Sequence, residues 1–129
     1  MSESKKISDA ELEIMKVIWE SGSSLLFAQI VEALAVKGIA WQKNTLITLL
    51  SRLMDKGYLK ADKCGRKNEY IPLVTEQDFQ VTQTRNFVDR IYKGNVSGLI
   101  NRLVENDMLT ETEYSELKKI LEVDKWKKR

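Results

Sequence analysis

Apolar residues recur every third or fourth position along most of this chain, the spacing that lines one face of a helix, and in one stretch past the middle that rhythm breaks. Residues 9–20 are predicted to form a helix burying Leu12, Met15, Ile18 and Trp19. The loop Ser21-Gly22-Ser23-Ser24 leads to a second helix over 26–36, with Phe27, Ile30, Val31 and Leu34 inward and Lys37-Gly38 as its stop. The third helix lies in "WQKNTLITLLSRLMDKGYL", residues 41–59, and ends at Lys56-Gly57. The rhythm then changes: residues 58–64, a turn at Gly65-Arg66-Lys67-Asn68, and residues 69–73 read as a β-hairpin, with Pro72 suggesting an edge position near the strand's end. Helical spacing returns over 75–93, 96–106 and 110–125.

Three helix starts carry the same device, an apolar residue, a Ser or Thr, and an acidic residue three positions on: Ser8 with Glu11, Thr75 with Asp78, Thr110 with Glu113. Such pairs satisfy N–H groups that the first turn leaves without intrahelical partners. Three helices followed by a hairpin is the order of a winged helix-turn-helix. The expected fold is therefore mainly α with a small β-hairpin: a winged-helix domain over 1–73 and a C-terminal three-helix dimerisation domain over 74–129. Three helices in about 55 residues bury too little surface to stand alone, and a second copy is the simplest remedy. Phe87, Ile91, Leu99, Leu103, Leu117 and Leu121 are the leading candidates for that interface.

The third helix has two unlike faces. Leu46, Leu49, Leu50 and Leu53 form a stripe toward the core, and the opposite side carries Asn44, Thr48, Ser51 and Asp55, flanked by Thr45 and Arg52 on one side and Lys43 and Ile47 on the other. Gln42 precedes it. Asn pairs with adenine, Ser and Thr meet bases or phosphates, and Ile47 or a Thr methyl packs on a thymine methyl. A helix that docks in the major groove offers such groups at its N-terminal end. Lys60, Lys63, Arg66 and Lys67 on the hairpin are placed to reach backbone phosphate as a wing.

Charge strengthens this reading through its distribution. The net charge is +2, but residues 42–67 hold seven basic side chains against two acidic, or +5, while residues 74–129 hold ten of each. The chain has no histidine, which removes imidazole-based acid–base chemistry and the usual triads, and no Gly-rich phosphate loop. Glu11 and Glu113 serve as capping partners rather than catalysts, so no enzyme and no cofactor are expected. Cys64 is the sole cysteine, which excludes an intrachain disulfide and a multi-thiolate metal site within one chain; it reads as structural or incidental, with a redox switch as the minor alternative. No apolar run approaches the ~20 residues of a membrane span, and "MSESKKISDAE" lacks a signal peptide's apolar stretch. A cytoplasmic protein without direct membrane insertion is expected. An adaptor that uses its winged helix to bind protein is the rival reading, and the +5 segment argues against it.

The segments "ISDAELEIMKVIW" (7–19), "WQKNTLITLLSRLMDKGYL" (41–59), "YIPLV" (70–74) and "YKGNVSGLINRLVEND" (92–107) resemble the penicillinase repressor family of bacterial transcription regulators. The most specific motif is Trp41, Thr45, Thr48, Leu49, Leu50, Arg52 and Leu53 at their spacing. The resemblance implies a homodimer on palindromic double-stranded operator DNA with TACA/TGTA-like half-sites, repressing transcription. In antibiotic-responsive members it also implies a membrane sensor-protease pathway that triggers cleavage in the C-terminal domain. The scissile Asn-Phe bond of those members falls here on Asn101-Arg102. The cysteine cluster of copper-responsive relatives is missing, and Ile47 stands where relatives often carry Lys or Arg. A repressor of this fold that answers a different signal, without cleavage, is the alternative.

Overall fold

A computed structural model describes residues 6–123. The elements run α1 (Asp9–Ser21), β1 (Leu25–Leu26), α2 (Phe27–Val36), α3 (Lys43–Asp55), β2 (Leu59–Cys64), β3 (Lys67–Pro72), α4 (Glu76–Tyr92), α5 (Val96–Glu105) and α6 (Glu111–Leu121). The chain divides into two compact units, the first ending at Gln80 and the second beginning at Val81. A mostly helical chain with one small antiparallel sheet matches the fold class read from the periodicity. The predicted tail of the last helix, 124–125, lies outside the described residues.

In the first unit, α1 packs against α2, α3 and β3. Its buried set is Glu11, Ile14, Met15, Val17 and Ile18. The expected stripe was narrower and shifted. Leu12 and Trp19 are only half-buried, whereas Ile14 and Val17 are enclosed because α1 has neighbours on several sides. In α2, Ile30 and Leu34 point inward, but Val31 is 44 % exposed, since this helix presents one narrow edge to the core. The α3 stripe Leu46, Leu49, Leu50 and Leu53 is buried throughout. Burying such a leucine contributes roughly 1.5–3 kcal/mol.

The sheet has the order β1-β3-β2. This corrects two expectations. The start of the second helix region is extended: Leu25 and Leu26 pair with Tyr70 and Glu69 before α2 begins. With that strand in place β3 is central, not an edge. Pro72 is tolerated because it is the last residue of β3 and lies beyond the reach of β1. The hairpin turn is also tighter than predicted. Cys64 pairs with Lys67 and Lys63 with Asn68, which leaves only Gly65 and Arg66 as the connection. Gly65 has φ 68°, the left-handed conformation that a two-residue hairpin turn asks of its first position.

Two of the predicted capping boxes are complete. Ser8 and Thr110 each accept from the residue three positions on and receive the reciprocal Glu11 or Glu113 carboxylate at their own N–H. At the third, Thr75 Oγ1 accepts from Asp78 N–H at 3.0 Å. In the second unit, Val88 is the one buried hydrophobic residue among those described. No described helix is long and apolar enough to cross a membrane.

Candidate nucleic-acid interface

The outer face of α3 follows from its inner one. With the leucine stripe committed to the core, the helical period turns Asn44, Thr45, Ile47, Thr48, Ser51 and Arg52 to solvent, and all six are exposed. Gln42 is the extended residue before the first turn; its side chain makes no capping bond, and its carbonyl accepts from Leu46 N–H at 3.1 Å. The polar atoms of Asn44, Thr45, Thr48 and Ser51 form no side-chain hydrogen bond among the described residues. The face is accordingly a row of available donors and acceptors. It is not a set of groups already used by the fold.

Beside it lies an open cleft lined by Phe27, Ala28, Lys43, Ile47, Arg66, Lys67, Asn68 and Tyr70. Four residues predicted for DNA contact converge there: Lys43 and Ile47 from α3, Arg66 and Lys67 from the hairpin tip. Three elements meet because the tight turn at Gly65-Arg66 keeps the hairpin tip short and because β1 leads straight into α2. The lining combines three cations with apolar and aromatic side chains.

Lys60 and Lys63 do not line this cleft. Strand alternation puts them on opposite faces of β2, and Lys60 lies 3.6 Å from Asp62 on its own face, which offsets its charge. Lys56, counted in the basic segment, serves the fold instead. Its Nζ donates to Glu11 Oε1 and to the Lys6 carbonyl, both at 2.6 Å. Burial pushes the Glu11 carboxyl up, but the Lys56 hydrogen bond, the Ser8 N–H, the Lys56 charge and the Ser8 hydroxyl together hold it below the usual carboxylate range. Burial, and then the Glu11 charge, raise the Tyr58 phenol.

Phe27, Ala28, Asn68 and Tyr70 are cleft residues that the sequence reading did not assign to contact. Phe27 was expected to face the core of the second helix, and nothing in the local pattern marked Ala28, Asn68 or Tyr70. Cys64 is exposed beside the turn. Among the described residues, no three His, Cys, Asp or Glu side chains gather as a metal site would require.

The model of the penicillinase repressor family matches residues 7–123. The penicillinase repressor of Bacillus licheniformis is 38% identical over 129 residues, covering 100% of this chain and 99% of that protein. The methicillin resistance regulatory protein MecI of Staphylococcus aureus (strain N315) is 34% identical over 116 residues, 90% of this chain and 93% of that one. A solution structure of the DNA-binding domain of the repressor BlaI is 44% identical, covers 57% of this chain and 92% of that one, and has a TM-score of 0.49. With the family model matching residues 7–123 and the Bacillus licheniformis repressor aligned over its whole length, the chain belongs to the penicillinase repressor family.

Proposed function

We propose that this protein is a transcriptional repressor that binds palindromic operator DNA as a homodimer. The observation that carries the reading is the uncommitted polar face of α3 beside a cleft rimmed by Lys43, Arg66 and Lys67. In this assignment Gln42, Asn44, Thr45, Ile47, Thr48, Ser51 and Arg52 meet base edges and the adjacent phosphates. Lys43, Arg66 and Lys67, with Lys63 and Lys60 in lesser roles, hold the backbone. Binding DNA blocks transcription by occupancy, so no catalytic group is needed.

The division of labour follows the sequence: residues 1–73 read DNA and residues 74–129 pair the subunits. The second unit supports the pairing role because much of its apolar surface is uncovered. Phe87 is 40 % exposed, Ile91 54 % and Leu121 47 %, while Leu99, Leu103 and Leu117 are half-buried. A partner helix face would remove that surface from water. Two half-sites bound through one dimer gain affinity because the second contact is effectively intramolecular.

Release by proteolysis, as the family's antibiotic-responsive members imply, would act at Asn101-Arg102. Both are exposed on α5, and a cut between them would break a helix of the pairing module. The arginine favours a second reading. A protease pocket shaped for phenylalanine would have to bury an unpaired guanidinium, so this protein answers a protease of different specificity or an uncleaved signal. The deciding experiment for DNA binding is an electrophoretic shift with the gene's own upstream region. A salt-dependent complex that survives competitor DNA is expected, and its absence at micromolar protein defeats the reading.

A further inference from the structure

We infer that Ile47 is a specificity-determining residue of the α3 face: it selects thymine at one position of each half-site by packing on the 5-methyl group of the base. The inference deepens the repressor reading above and rests on it. Ile47 is the one exposed large hydrophobic side chain of α3, 45 % open to solvent. The other apolar side chains of the helix are engaged inward. Leu46, Leu49, Leu50 and Leu53 are buried, and Met54 packs against the core they belong to. Ile47 is not part of that core.

Its surroundings are polar and cationic. Helical spacing puts Lys43 one turn before it, with Asn44 and Ser51 also within one turn. Ile47 lines the same cleft as Lys43, Arg66 and Lys67, and none of these three cations meets a carboxylate among the described residues. Such a setting fits a polyanion. An isoleucine has no donor or acceptor, so it cannot read a base by hydrogen bonding. Pressed against duplex DNA, it gains only by shielding apolar surface from water. In the recognition pattern of the major groove the apolar group is the thymine methyl, and the remaining groups are N–H donors and O or N acceptors. Thr45 and Thr48 carry methyl groups too, but each is smaller and bears a hydroxyl that must stay hydrogen-bonded when it is covered.

The test uses the full-length protein and the shortest duplex from the gene's own upstream region that it shifts. Each thymine of that duplex is replaced in turn by deoxyuridine, which keeps every hydrogen-bonding group and removes only the methyl. One position in each half-site is expected to lower wild-type affinity about fourfold, the equivalent of burying one methyl group. That penalty is expected to vanish in Ile47→Ala and to persist in Ile47→Val, which keeps an apolar branch. Thr45→Ser and Thr48→Ser delete the other methyl groups of the face and are expected to leave the penalty in place. The comparison is a double-mutant cycle between side chain and base, so a general weakening by any one variant cancels. A series with no uracil penalty overturns the inference, as does a penalty that survives Ile47→Ala or one that disappears with a threonine methyl. A wild-type protein that shifts no segment of the upstream region instead overturns the repressor reading beneath it.

Discussion

Glu11 is a charged side chain only 1 % exposed, its carboxylate held by the Lys56 cation beyond the far end of α3 and by the Ser8 N–H. Removing one member of such a pair strands the other, which costs about 3–5 kcal/mol. Lys56→Met should destabilise the fold by that order, measured by denaturant unfolding at pH 7. The sign of its pH dependence follows from the lowered Glu11 pKa. A carboxyl whose folded pKa lies below its unfolded value, about 4.3, adds stability above that pH and loses it as pH falls through the folded value. The gap between wild type and Lys56→Met should therefore narrow below about pH 4. A gap that stays constant from pH 7 to 3 contradicts the assignment. On the exposed side of α3, Asn44→Ala and Thr48→Ala should each cost operator binding about 1–3 kcal/mol more than non-specific binding. Arg66→Ala should weaken both alike and lower the slope of log affinity against log salt by about one. The assigned roles are reversed if the wing change alters sequence preference and the α3 changes do not.

At the level of elements, α3 and α5 present contrasting cases. α3 has its apolar stripe fully enclosed by its own chain, and Asn44, Thr48 and Ser51 on the other side are left exposed. α5 has no buried residue despite Val96, Leu99, Ile100, Leu103 and Val104 along it, so among the described residues its apolar side is only partly covered. Leu103→Glu places a charge on that side. If α5 pairs the subunits, the charge should cost about 3–5 kcal/mol of association. Sedimentation at tens of micromolar should give a dimer for wild type and a monomer for the variant. A monomeric wild type sinks the pairing role.

For the molecule as a whole, the question is how repression ends. If the first unit reads DNA and the second pairs the subunits, as proposed, separating them abolishes the gain from a two-site grip without altering one DNA contact. With Arg102 in place of an apolar residue, cells exposed to a β-lactam should keep the chain intact on immunoblots. Rapid appearance of fragments ending at Asn101 and beginning at Arg102, identified by mass spectrometry, would instead place the protein in the antibiotic circuit.

Local rules determined much of this architecture. The leucine stripe of α3, the Ser8 and Thr110 capping boxes and the helix-helix-helix-hairpin order were all readable, because each depends on residues a few positions apart. The polar face of α3 was readable for the same reason, being the complement of its stripe. Other features had no local signature. Leu25 and Leu26 become a strand only because β3 offers them partners, and two residues are too few to show alternation. Lys56 reads as one more solvent-facing cation until α1 brings Glu11 against it. Lys60 and Lys63 read as equals of Arg66 and Lys67 until pairing register decides which cations border the cleft. The hydrogen bond from the Trp19 indole N–H to the Val74 carbonyl spans 55 residues. Contacts between distant segments depend on how the elements are arranged in space, and only the folded chain brings those segments together.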